Sequence, residues 1–111
     1  MERILFLTLL YDFYNELLTE KQRVFFARYH FDDMSLNEMG AEFGITPQGV
    51  RDLLKRTEKL LESYEAKLHL VQRHLKLRQI TGEMIERIQG FNSLGANDKA
   101  ELIECIQSLV E

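Results

Sequence analysis

The stretch Ser35-Leu36-Asn37-Glu38-Met39-Gly40-Ala41-Glu42-Phe43-Gly44-Ile45-Thr46-Pro47 holds two helix starts and one helix stop, and it decides how the chain folds. Ser35 and Glu38 stand at capping-box spacing: the Ser35 hydroxyl accepts from the Glu38 amide, and the Glu38 carboxylate accepts from the Ser35 amide. The helix this opens is short, about Leu36 to Phe43. Gly44 suits its end, because a residue without Cβ takes the left-handed conformation at no steric cost. Ile45 fills the turn, Thr46 caps again, and Pro47 takes the first helical position, where its missing donor is not needed.

Upstream, Thr19 reads as the N-cap of a helix over Glu20 to His30, with Glu20 favouring its positive start. Phe31-Asp32-Asp33 breaks that helix, since aspartates compete for local backbone amides. Before it, Ile4, Leu7, Leu10, Tyr11, Tyr14, Leu17 and Leu18 recur at three and four residues and predict a first helix from Arg3 to Leu18 with one apolar face.

Downstream, no Gly or Pro falls between Val50 and Thr81, so the fourth helix is expected to run from Pro47 to about Arg78. About 32 residues of helix span ~48 Å, whereas a chain of this size has a radius of gyration of only ~13 Å. Such a helix overhangs its own globule. Thr57, Leu61, Tyr64, Leu68, Val71 and Leu75 alternate at four and three residues along it, a seam for another helix. Two shorter helices complete the reading: one buries Met84, Ile85, Ile88 and Phe91, and one is capped at Asn97 or Asp98 and buries Leu102, Ile103, Ile106, Leu109 and Val110.

With 111 residues, the chain has room for one all-α domain. Its 14 basic and 18 acidic side chains are unevenly placed. The net charge is −4 over residues 1–45, +4 over 46–78 and −4 over 79–111. A basic middle between acidic flanks points to a local patch for a polyanion. Cys105 is the single cysteine, which excludes an internal disulfide and a multi-cysteine zinc site. It reads as a small buried or half-buried hydrophobe, since nothing beside it activates a thiol. His69 and His74 lack the four-residue spacing that clasps zinc, and His30 has no neighbouring ligand. With no phosphate loop, nucleophile elbow, signal peptide or apolar run long enough for a membrane span, the expectation is a cytoplasmic, non-enzymatic protein without metal, cofactor or membrane insertion.

A capped short helix, a glycine turn and a capped basic helix form a helix-turn-helix, whose second helix can enter a DNA major groove. Leu18 to Arg23, Ser35 to Thr46, Val50-Arg51-Asp52 and Lys55-Arg56 resemble region 4 of bacterial sigma factors over about Leu18 to Glu62. Together with Tyr11-Asp12-Phe13-Tyr14, Phe31-Asp32-Asp33, Lys55 to Glu58 and Tyr64 to Leu70, the chain resembles the small YlxM proteins of Gram-positive bacteria over roughly Met1 to Leu75. That resemblance implies a regulatory, nucleic-acid-binding protein, linked to the signal recognition particle because the family's genes lie beside that of the particle's protein component.

On the fourth helix, Arg51, Lys55, Arg56 and Lys59 can contact phosphates. The alternative is a solvated face neutralised by Asp52, Glu58 and Glu62. If the ligand is DNA, Gln48 can read adenine, Arg51 guanine and Asp52 a cytosine amino group. Pro47-Gln48-Gly49, however, departs from the long charged side chains with which sigma region 4 opens its recognition helix. The aromatic set Phe6, Tyr11, Phe13, Tyr14, Phe25, Phe26, Tyr29 and Phe31 reads mostly as core, with stacking on RNA bases as the alternative for any excess.

The expectation is therefore a helix-turn-helix core over residues 1–56 and an oligomerisation arm over 57–111. Leu61, Tyr64, Leu68, Val71 and Leu75 would form the interface of a homo-oligomer, most simply a dimer. The basic patch would meet the particle's RNA, while Asp32, Asp33, Glu38 and Glu42 meet its basic protein. A sequence-specific DNA-binding transcriptional regulator is the alternative.

Overall fold

A computed structural model describes residues Met1–Val110, and within them every regular element is helical. By their internal contacts they form two compact units, one spanning Met1–His69 and one beginning at Leu70.

In the first unit, α1 (Arg3–Tyr14) continues into a 3₁₀ turn, Asn15–Leu17, and is followed by α2 (Glu20–His30), α3 (Leu36–Phe43) and α4 (Pro47–Leu68). The caps form as their residues dictate. Thr19 accepts from the Gln22 amide and Gln22 returns the bond to the Thr19 amide. Ser35 and Glu38 do the same at 3.0 and 3.3 Å. Thr46 accepts from Gly49 with Pro47 in the first turn. Gly44 is left-handed at φ 70°, as is Asp33 at φ 55° in the break after α2.

Phe25 of α2, Met39 of α3 and Val50 and Leu54 of α4 form a buried cluster that holds the last two helices of the helix-turn-helix against the second. Leu7, Leu10, Tyr14 and Leu18 are buried on the α1 side. The single apolar face expected of α1 is narrower than its spacing suggests, since Ile4 (65%) and Leu17 (54%) stay exposed near its ends. Buried Thr57 satisfies its hydroxyl by donating to the Leu53 carbonyl at 2.9 Å.

The fourth helix does not reach Arg78. It ends at Leu68, where His69 adopts the left-handed conformation at φ 56° and donates its N–H to the Glu65 carbonyl. Histidine is among the non-glycine residues enriched in that region, so a stop here needs neither Gly nor Pro. At 22 residues, α4 is ~33 Å long.

In the second unit, α5 (Leu70–Gln89) is followed by α6 (Ala96–Gln107) and a closing 3₁₀ turn, Ser108–Val110. Helix α5 therefore joins residues 70–78, expected to belong to the fourth helix, to the Met84–Ile88 segment. Gly82 lies inside it without interrupting it. Helix α6 starts two residues earlier than a cap at Asn97 would set it, and three earlier than one at Asp98: Gly95 is the N-cap, and Asp98 falls in the first turn, where a carboxylate complements the helix dipole. Cys105 is exposed, contrary to the reading of it as a buried hydrophobe. No helix among the described residues is long and apolar enough to cross a membrane.

Candidate nucleic-acid interface

The inward side of α4 is occupied by Val50, Leu54, Thr57 and Leu61, all buried at four- and three-residue spacing. The same periodicity leaves Gln48, Arg51, Asp52, Lys55, Arg56 and Lys59 exposed. The structure thus brings all six candidate residues to the outer surface of one helix. Their neutralisation differs from the solvated-face alternative. Glu58 gives one oxygen to Arg3 at 3.2 Å and lies 3.5 Å from His30 Nε2 with the other. Glu62 pairs with Arg3 at 3.3 Å. Both carboxylates are drawn to α1 and α2, and among the described residues no carboxylate stands within ion-pair distance of Arg51, Lys55 or Lys59.

Asp52 is engaged differently. Its carboxylate accepts from the Gln48 amide at 3.0 Å, while its backbone carbonyl accepts from Arg56 Nε at 3.4 Å. The two groups suited to base reading, the Gln48 amide and the Asp52 carboxylate, thus satisfy each other across one helical turn. A shallow hollow at Asp52, Lys55, Arg56 and Lys59 continues this surface.

Gly40 sets how closely α3 approaches the turn. An added Cβ would lie 2.7 Å from the Ile45 carbonyl oxygen, closer than side chains tolerate. That contact is a signal of the turn's tightness that no pattern of polar residues discloses.

His30 ends α2 with its ring 4.3 Å from Phe26 and 5.1 Å from Tyr29. Its Nε2 is buried and, despite the proximity of Glu58, lacks hydrogen-bonding geometry to any partner. Burial holds its pKa below the usual histidine value, and the Glu58 charge offsets this only in part.

Of the acidic flank, Asp32 and Glu42 share Arg28 at 3.6 and 3.3 Å, and Glu38 serves the α3 cap. Of the seam residues, Leu61 is buried in the first unit. The Tyr64 ring lies 6.0 Å from that of Tyr14 and its hydroxyl donates to the Leu17 carbonyl at 3.3 Å, and Leu68 is 47% exposed. In the second unit, Val71 is buried and Leu75 half-buried. No group of three His, Cys, Asp or Glu side chains among the described residues is placed to hold a metal ion.

Residues 1–101 match the family model described as "Putative helix-turn-helix protein, YlxM / p13 like". The chain is 40% identical to the UPF0122 protein GK1195 of Geobacillus kaustophilus, over all of this chain and 97% of that one. It is 41% identical to a UPF0122 protein of Lactiplantibacillus plantarum, over 91% of this chain and 84% of the relative, and 42% identical to one of Streptococcus pneumoniae, over 90% and 86%. With a matched family model covering nearly its whole length and relatives similar from end to end, the chain belongs to the YlxM/p13-like helix-turn-helix family.

Proposed function

We propose that the protein is a regulatory, nucleic-acid-binding module whose ligand is the RNA of the signal recognition particle, bound through the outer surface of α4. The observation that carries this reading is the unpaired set Arg51, Lys55 and Lys59 on a chain of net charge −4. Unpaired cations on one helix suit phosphate contact, which supplies affinity without sequence information. The mutual hydrogen bond of Gln48 and Asp52 weighs against base-specific reading of duplex DNA. The particle itself enters through the YlxM resemblance and through charge. A ribonucleoprotein offers an anionic RNA to the basic helix and a basic protein to the Asp32, Asp33, Glu38 and Glu42 side, whereas naked DNA would be repelled there.

Residues from 57 onward serve on this reading as the arm of a homo-oligomer, a dimer in its simplest form, working in the cytoplasm. Leu68 in the first unit and Leu77, Ile80 and Met84 in the second are among the apolar side chains exposed from residue 57 onward.

The test is salt-dependent binding to the particle's RNA, to its protein component and to duplex DNA. Replacing Arg51 or Lys55 by Gln should reduce the slope of log affinity against log salt by about 0.7 to 0.9 each. Asp32→Lys with Asp33→Lys should weaken binding to the protein component only. The second reading, a sequence-specific DNA-binding regulator, is favoured by Gln48 and Arg51 standing at the opening of α4, and it requires a preferred duplex sequence that Gln48→Ala relaxes at one position. Purified particle that ignores the protein at low salt, with a genomic duplex bound selectively, would overturn the first reading in favour of this one.

A further inference from the structure

A cleft of about 200 Å³ opens between α2, α3 and α4, lined by Tyr29, Leu36, Arg51, Leu54, Lys55 and Glu58. Its composition is unusual for a gap between packed helices. An aromatic ring that is 39% exposed and two apolar side chains adjoin two cations that have no ion-pair partner among the described residues. Tyr29 is held in orientation by an edge-to-face contact with His30, at 5.1 Å and 87°. Arg51 and Lys55 are four apart on α4, so they share one face of the helix, and both are exposed.

The volume narrows the ligand. Clefts that enclose whole drug-sized molecules begin at ~300 Å³, so this one admits a single planar group and leaves the remainder of the ligand outside. An aromatic side chain in the lining, apolar flanks and two exposed cations match a nucleobase and the phosphate attached to it. Glu58 adds a preference. Arg3 at 3.2 Å offsets its charge, and its carboxylate can still accept from an exocyclic amino group, which adenine, cytosine and guanine carry and uracil lacks. Duplex DNA keeps its bases stacked and must unstack one to reach such a cleft. Bulges and loops of RNA present bases already splayed out for stacking on aromatic side chains.

We infer that this cleft takes one unpaired, amino-bearing nucleotide of a structured RNA, with the base against Tyr29 and its phosphate on Arg51 and Lys55. The inference rests on the RNA-binding reading above and specifies what that RNA must offer. It also gives Tyr29, one of the aromatics, a role outside the core.

The test uses the full chain and two synthetic RNA hairpins that differ only in one bulged adenosine. Stacking of a base on an aromatic side chain is worth about 5- to 150-fold in affinity. The bulged hairpin should bind about ten-fold tighter than the paired one, and changing the bulge to uridine should lose part of that margin. Tyr29→Leu should abolish the margin while leaving the salt slope unchanged, and Tyr29→Phe, which keeps the ring, should retain it. A wild-type protein that binds both hairpins equally and salt-dependently would overturn the inference and leave the RNA-binding reading standing. Failure to bind either hairpin at low salt would overturn both.

Discussion

Two glycines in helices should respond to the same substitution with opposite signs. At Gly40 of α3, an added Cβ would stand 2.7 Å from the Ile45 carbonyl oxygen, 3.4 Å from the Pro47 nitrogen and 3.5 Å from the Thr46 carbonyl carbon. All three are backbone atoms of the turn, so no side-chain rotation relieves the clash. The turn is also tied to this residue, because both the Gly44 and the Ile45 N–H donate to the Gly40 carbonyl. Alanine gains ~1 kcal/mol of helix propensity over glycine. Against that, overpacking costs ~1 to 3 kcal/mol, and displacing the turn weakens hydrogen bonds worth ~0.5 to 1.5 kcal/mol each. The net expectation for Gly40→Ala is a loss of about 2 kcal/mol, or roughly 10 °C in Tm for a domain of this size. At Gly82 of α5 an added Cβ meets nothing within 4 Å, so Gly82→Ala should stabilise by ~0.5 to 1 kcal/mol. Thermal and urea unfolding of both variants decides the matter. A Gly40→Ala protein as stable as wild type would refute the reasoning that the turn is rigid at this contact.

His30 should make stability depend on pH. Its folded pKa lies below the unfolded value, so its contribution is fully present above about pH 6.5 and is lost as pH falls, because the unfolded chain takes up the proton first. The urea midpoint should drop from pH 7.5 to 5.5, and His30→Phe should flatten that drop. Tyr14, 1% exposed, donates to Glu65 Oε1 at 2.6 Å. Tyr14→Phe should cost ~1.5 to 3 kcal/mol, the range for hydrogen bonds to charged groups, and a urea midpoint unchanged from wild type would refute it. For the proposed dimer, Leu68→Glu places a charge on an exposed apolar position and should shift sedimentation toward 13.1 kDa without lowering helix content. Leu61→Ala, by contrast, removes a buried side chain and should cost ~2 to 5 kcal/mol whatever the oligomeric state.

The helix-turn-helix is legible from its caps because a cap is a local event. Thr19, Ser35, Gly44, Thr46 and Pro47 each act on amides within one turn, and α2 and α3 span the residues their caps imply. The stop at His69 is not legible, since a left-handed histidine leaves no compositional mark and Glu65 supplies the carbonyl from within the helix. The candidate interface divides the same way. That Arg51, Lys55 and Lys59 share one surface follows from helical spacing alone. That Glu58 and Glu62 are withdrawn from them requires Arg3 and His30, which lie far away in the chain, as does the meeting of Tyr29 with Arg51 and Lys55 in one cleft.

Helix α4 shows how an acidic chain keeps a basic surface. Along one side of it, Arg51 and Lys55 come first and Glu58, Glu62 and Glu65 follow, a sequence that in an isolated helix would place Lys55 three residues from Glu58 and Lys59 three residues from Glu62. The fold prevents that by assigning each carboxylate elsewhere: Glu58 and Glu62 to Arg3, and Glu65 to Tyr14. Exposed pairs of this kind add little to stability, ~0.2 to 1 kcal/mol, and the Arg3 guanidinium is 63% exposed. Their effect is on placement. With the carboxylates turned to α1, the positive charge of α4 is gathered at its first turns, beside the turn that Gly40 holds close and in the lining of the cleft that contains Tyr29. Replacing Arg3 by Gln should therefore change stability little but free Glu58 and Glu62 to approach Lys55 and Lys59, weakening anion binding from a position that need not touch the ligand. Salt-dependent RNA binding that is identical in wild type and Arg3→Gln would show that the carboxylates stay in place without their partner.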